Sequence, residues 1–237
     1  MHVEDIAYDF EGRQMIGHLA YDDATQGRRP TVLLSHEGPG LDEHVKGRAE
    51  RLAAMGYATF ALDYHGGGVP VPIDEMFERL GPLMSDPQLT RRLGQAGLDV
   101  LLAQPVADPD RVAAIGYCFG GAMSLELGRG GADIKAIVGF HPGLALSPDS
   151  ANIKGAVLMC LGTDDPFVST ETRVAFEQEM KDAGVADWNI ELYGGVGHSF
   201  TNPMADQAGM PGVAYHEPSD RRSWASMLRL FDETINA

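Results

Sequence analysis

Val112-Ala-Ala-Ile-Gly-Tyr-Cys-Phe-Gly-Gly121 is the stretch from which the rest of the chain can be placed. Val112 to Ile115 is a short apolar run with β-branched ends, and Ala122 to Leu127 reads as the first turns of a helix. Cys118 and its flanking glycines therefore occupy a sharp strand-to-helix turn. Such a turn strains its central residue and brings the positions two residues away against a neighbouring strand or helix, which is why Gly116 and Gly120 suit it. A thiol placed there faces the positive end of the helix dipole and unpaired backbone N–H groups, which favours the nucleophilic thiolate. Two other readings of the stretch stay open: a glycine-rich cradle for phosphate, and a cysteine that is simply buried.

Working outward, strand and helix alternate. His2 to Phe10 and Gln14 to Tyr21, separated by Glu11-Gly12, predict an antiparallel hairpin at a sheet edge. Thr31 to Ser35, Tyr57 to Asp63, Ala136 to Phe140, Ala156 to Leu161 and Asn189 to Tyr193 are the further predicted strands. Helices are predicted over Glu43 to Met55, Leu93 to Leu102, Thr170 to Ala183 and Asp220 to Ile235, with Trp224, Leu228 and Phe231 on one face of the last. Between Tyr64 and Arg92 the glycines and prolines predict an irregular excursion with one short helix, Ile73 to Leu80, and Ala107 to Arg111 reads as a turn. There is no repeat, low-complexity linker or shift of composition. The expectation is one α/β domain over residues 1–237, a doubly wound, mostly parallel sheet with helices on both faces.

The formal charge of -16 argues against nucleic acid or an anionic membrane as partner, and says nothing about a small neutral ligand. Cys118 and Cys160 are the two cysteines, and no Cys/His pattern has the spacing of a structural zinc site. Cys160 lies in a run that reads as a buried strand. The start of the chain is neither basic nor apolar, and no apolar run approaches the ~20 residues that span a bilayer, so a cytoplasmic protein without metal or cofactor is expected. Oligomeric state is not readable.

Ligands of such sheets bind at the carboxyl ends of the strands. The loops there carry Glu37, His65, Cys118, His141, Asp164, Asp165 and His198. A thiol nucleophile needs a base, and the base needs a carboxylate to fix its tautomer. Gly162-Thr-Asp-Asp-Pro-Phe-Val168 offers two aspartates after one strand, and Gly194-Gly-Val-Gly-His-Ser-Phe200 offers a histidine after the last. The order nucleophile, acid, histidine is that of an α/β-hydrolase. Either aspartate could serve, with the other left as a turn residue.

Together with Ser35-His-Glu-Gly-Pro-Gly40, these motifs make the chain resemble the dienelactone hydrolase family of the α/β-hydrolases over essentially its whole length. The resemblance implies Cys118 as nucleophile, His198 as base and Asp165 as its carboxylate. It also implies Glu37 in contact with the resting thiol, and an oxyanion hole from the N–H groups of Phe119 and Gly38. His65, His141 and Asn202 are expected near substrate, with an ordinary structural role as the alternative for the histidines. The sequence departs from the family where arginines would grip a substrate carboxylate: Gly66 or its neighbours and Asn202 stand in those places, and neither is cationic. An uncharged ester or lactone is therefore the expected substrate of a cysteine-dependent hydrolase, with activated neutral phosphotriesters as an extension. Residues 201–218, with Met204, Met210, Pro211 and Tyr215, are expected as an apolar flap or as packing against the sheet. The competing readings are a dienelactone hydrolase acting on an anionic lactone through Arg79, Arg91 or Arg92, a metal-dependent hydrolase using His36, Glu37, His44, His65 or His141, and a non-catalytic binding protein.

Overall fold

In the computed structural model, which describes residues 1–236, the apolar runs assemble into one eight-stranded sheet. The strands are β1 (His2–Phe10), β2 (Arg13–Tyr21), β3 (Arg29–Ser35), β4 (Ala58–Leu62), β5 (Ala107–Tyr117), β6 (Ala136–Phe140), β7 (Ala156–Gly162) and β8 (Trp188–Tyr193). Their spatial order is β1-β2-β4-β3-β5-β6-β7-β8. β1 and β2 form the edge hairpin, β2 pairs antiparallel with β4, and all later neighbours are parallel.

Successive strand residues leave opposite faces of the sheet. In β3, Val32 and Leu34 accordingly join one apolar cluster and Leu33 the other. Helices cover both faces: α1 (Glu43–Ala53), α2 (Ile73–Ser85), α3 (Pro87–Leu102), α4 (Phe119–Arg129), α5 (Thr170–Asp182) and α6 (Glu217–Thr234). α1 and α6 pack Val45, Leu52, Trp224 and Phe231 onto one face, while α2 to α5 pack Leu80, Leu98, Met123 and Phe176 onto the other. The start of α1 is fixed by Asp42, whose side chain accepts the N–H of Val45 at 3.0 Å.

The excursion between Tyr64 and Arg92 is more regular than its prolines suggest. α2 continues past Leu80 to Ser85 with Pro82 inside it, and α3 starts at Pro87, well before the expected Leu93. Pro87 takes the first helical position, where a missing N–H costs nothing. Asp86 caps the same turn, accepting the N–H groups of Gln88 (2.9 Å) and Leu89 (3.2 Å). Reading these prolines as breakers hid the last turn of α2 and the first turns of α3. Likewise the turn expected at Ala107 to Arg111 is drawn into β5, which pairs with Arg29 before a register shift and with Thr31 after it.

Beneath the sheet, Arg129 at the end of α4 is 1% exposed and bridges Glu126 and Glu179. Arg91 of α3 also reaches Glu126. This buried network ties α3, α4 and α5 together, and removal of one charge from such a set typically costs ~3–5 kcal/mol. Among the described residues no helix is long and apolar enough to cross a membrane.

The parallel order brings the functional loops to one edge. Ser35 pairs beside Gly116, Tyr117 beside Phe140, Phe140 beside Cys160, and Gly162 beside Tyr193. Loops leaving β3, β5, β6, β7 and β8 therefore meet around Cys118.

Candidate active site

Cys118 is the residue between β5 and α4, with φ 53° and ψ -121°. That left-handed φ is costly for any residue with a Cβ and persists only where the surroundings impose it. Its N–H donates to the Phe140 carbonyl at 2.9 Å and to His141 Nδ1 at 3.2 Å. The glycine requirement is steric. A Cβ on Gly116 would lie 2.1 Å from the Gly120 carbonyl oxygen, and one on Gly120 would lie 2.3 Å from that of Ser35 and 2.4 Å from that of His36. Because these obstacles are backbone atoms, Gly120→Ala is expected to destabilise the protein by ~3 kcal/mol, lowering the urea midpoint. An unchanged midpoint would show that the elbow and β3 are not in such close contact.

Asp165 lies in the loop after β7 and His198 in the loop after β8. His198 Nδ1 and Asp165 Oδ2 are 2.7 Å apart, so the ring donates from Nδ1. The Phe167 N–H donates to the other carboxylate oxygen at 2.8 Å, which fixes the orientation of the acid. Asp164 instead accepts from the exposed Thr163 hydroxyl. The histidine backbone is held by the returning segment: its N–H donates to the Gly212 carbonyl at 2.7 Å and its carbonyl accepts from Ala214 at 3.1 Å. Residues 201–218 thus brace His198, and Met204 is 55% exposed rather than part of an apolar wall. His198 Nε2 is buried without a hydrogen-bond partner of good geometry among the described residues. Burial opposes protonation of this ring, but the neighbouring Cys118 and then the Asp165 carboxylate outweigh it and raise its pKa to about 10.

The loop after β3 carries Glu37 and Gly38. Tyr64 stacks on His36 with ring centroids 3.5 Å apart, and its hydroxyl donates to the Glu37 carbonyl at 2.7 Å. His36 Nε2 accepts the Tyr64 N–H, so its Nδ1 donates to the Glu37 carbonyl at 2.7 Å. His65 donates from Nε2 to the Gly38 carbonyl at 2.7 Å. These bonds set the plane of the peptides next to the elbow. Neither the Phe119 nor the Gly38 N–H donates to a protein acceptor among the described residues, which leaves both free for a bound oxygen.

Glu37 and Asn202 meet in a contact that the sequence did not suggest. Asn202 Nδ2 donates to Glu37 Oε2 at 2.5 Å, and no hydrogen bond joins Glu37 to the thiol among the described residues. Instead of the expected contact with the thiol, the hydrogen bond that Glu37 makes is to the amide of Asn202. Burial pushes the Glu37 pKa up, partly offset by hydrogen bonds from Asn202 and Ser199. His141, expected near substrate, is 0% exposed. Its Nδ1 accepts the Cys118 N–H, so Nε2 carries the proton and meets the Thr201 hydroxyl at 2.8 Å, with Glu37 Oε1 3.7 Å away. Burial lowers the pKa of His141 far below the usual value, which keeps it neutral beside Cys118. His65, also expected near substrate, is 1% exposed and its pKa is likewise lowered by burial. Both rings shape the site from behind.

Thr201, Tyr64 and Asp63 escaped the sequence reading. Asp63 accepts the N–H groups of His65, Gly66 and Gly68, each at 2.8 Å, and this binds the loop that presents Tyr64 and His65. An aspartate followed by glycines at a strand end is the signal that could have found it. Among the described residues no three His, Cys, Asp or Glu side chains converge as a metal site requires.

The profile of the dienelactone hydrolase family matches residues 16–235. The chain belongs to that family. It is 28% identical to a carboxymethylenebutenolidase of a Pseudomonas species over 210 residues, covering 84% of this chain and 85% of the relative. Among solved structures it is similar to a dienelactone hydrolase-like promiscuous phosphotriesterase from metagenomic libraries, with 40% identity, a TM-score of 0.94 and 98% of each chain covered. A second structure, m3DLH, is 42% identical with a TM-score of 0.94, over 99% of this chain and 98% of that one.

In this dienelactone hydrolase family member the three arginines weighed as grips for a substrate carboxylate are each paired. Arg79 donates to Glu75 and to the His65 carbonyl, Arg91 pairs with Glu126 and Asp149, and Arg92 pairs with Glu11. None of the three arginines that could have folded over the site is unpaired. A cleft of about 540 Å³ lies elsewhere, between the hairpin, α2 and α3, and its lining includes none of Cys118, His198, Asp165 or Glu37.

Proposed function

We propose that this chain hydrolyses uncharged esters and lactones through a covalent bond to Cys118. The observation that carries the reading is the Asp165–His198 pair, with its Nε2 unpartnered, next to a thiol held at the N-terminus of α4.

In the reactive form His198, its pKa raised to about 10, holds the proton, and Cys118 attacks as the thiolate. The sulfur attacks the carbonyl carbon and the oxygen becomes an anion held by the N–H groups of Phe119 and Gly38. As the anion collapses, the C–O bond to the leaving group breaks and His198 gives its proton to the departing oxygen. A thioester on Cys118 remains. Acylation removes the negative charge that most strongly raised the His198 pKa, so the now neutral ring is ready to act as a base. It takes a proton from water, the hydroxide adds to the thioester, and the acid leaves as the proton returns to the Cys118–His198 pair.

Gly66 and Asn202 are uncharged, and Arg79, Arg91 and Arg92 are each paired with a carboxylate, which favours neutral substrates. The 40% identity to a promiscuous phosphotriesterase supports an extension to activated neutral phosphotriesters by the same displacement at phosphorus. Intact-mass measurement after brief mixing with aryl esters and aryl phosphotriesters is expected to show one acyl or phosphoryl group per chain, absent in Cys118→Ala. Turnover without any adduct in a rapid quench, retained by Cys118→Ala, would overturn the covalent reading.

A further inference from the structure

Phe167 stands out among the exposed apolar side chains because its ring lies against His198. It is 53% exposed, yet its ring centroid is 4.9 Å from that of His198, with an interplanar angle of 82°. Its backbone is fixed by its own N–H bond to Asp165 Oδ1 and by Pro166 before it. Pro166 in turn abuts Gly212, whose carbonyl holds the His198 backbone. The half-exposed phenyl on this fixed turn presents apolar surface directly beside the imidazole.

The chemistry says what would cover it. His198 gives its proton to the leaving oxygen, so the group attached to that oxygen has to lie beside the imidazole, where Phe167 is. We propose that Phe167 forms the leaving-group subsite and favours flat aryl leaving groups over alkyl ones. The proposal rests on the Cys118–His198 reading above. A face or edge of the aryl ring covers the phenyl while the bond to oxygen breaks, and the contact is gone once the leaving group has diffused away. Phe167 therefore contributes to acylation and not to deacylation.

Two acetates that share an acyl group separate these steps: 4-nitrophenyl acetate and 2,2,2-trifluoroethyl acetate. An aromatic pair contributes enough that Phe167→Leu is expected to lower kcat/KM for the nitrophenyl ester by roughly 3- to 10-fold. The trifluoroethyl ester should change less than about twofold, the deacylation rate of acetyl-Cys118 should be unaltered, and Phe167→Tyr should restore the aryl preference. An equal fall for both esters, or a slower deacylation, would mean that the ring only supports His198, and the proposal would be wrong. No change with either ester would also overturn it. Mass measurement of the parent protein separates the two layers: a parent that turns over ester with no acetyl on Cys118 defeats the covalent reading, and the subsite falls with it. A parent that acetylates normally leaves Phe167 judged on its own ratio.

Discussion

The Cys118→Ala protein is expected to fold and to turn over an activated aryl ester about 10⁴-fold or more slowly than the parent. Alanine keeps the Cβ that the elbow at φ 53° already accommodates, so circular dichroism and the urea midpoint should be nearly unchanged. Cys118→Ser is the more informative variant. In the parent the neighbouring Cys118 is, after burial, the largest influence on His198, whose pKa is raised to about 10; on the reading proposed above, the reactive form is the charged pair. A serine hydroxyl stays protonated and needs a neutral imidazole to activate it. Without the thiolate, the His198 pKa should fall. The residual rate of Cys118→Ser is therefore expected to rise with pH through a value below 10, where the parent holds a plateau and declines only as His198 loses its proton. Stopped-flow profiles of kcat/KM from pH 5 to 10.5 would show this. A serine variant with the parent's profile would show that the resting pair is not ionised and that the proton moves only during attack.

Much of this site was legible because its parts depend on local chain geometry. The elbow could be read from Gly116, Cys118 and Gly120, because the backbone approaches of 2.1 to 2.4 Å admit no side chain. The parallel sheet could be read because strands buried on both faces, such as Ala136–Phe140, carry continuous apolar runs. Asp165 was favoured by its place in the Gly162 motif, and the structure puts it 2.7 Å from His198. What stayed hidden depends on contacts between residues far apart in the chain. Nothing local to Asn202 points to Glu37, which lies 165 positions earlier, and nothing local to His141 points to the Cys118 N–H. The extent of the two helices in the Tyr64–Arg92 region was missed for a different reason. Pro87 at the first helical position is compatible with helix, so it marks the start of α3 where the sequence suggested a break, and α2 runs through Pro82 to Ser85.

Asp165→Asn is the second large effect, expected on the order of a hundred- to ten-thousand-fold in turnover. The carboxylate does two things that an amide does not. It accepts the proton of Nδ1, which leaves Nε2 free for chemistry, and its charge helps to raise the His198 pKa. An amide can instead donate to Nδ1 and move the proton of the neutral ring to Nε2, the wrong tautomer for taking a proton from water. Deacylation should therefore suffer more than acylation, so that acyl-enzyme accumulates and a burst of phenol precedes a slow steady state. The alkaline limb of acylation should also move below pH 10, since the hydrogen bond and the charge of Asp165 are both lost. Stability gives a separate check on the same pKa. A histidine raised from about 6.5 when unfolded to about 10 when folded stabilises the native state fully below the lower value, and this contribution disappears as pH rises through the higher one. The stability gap between parent and Asp165→Asn, measured by urea unfolding, should then be widest on the acid side of pH 6.5 and should narrow toward pH 10. Should the gap instead widen with rising pH, His198 would be neutral in the resting protein, and a carboxylate holding a neutral ring would be the better description of the pair.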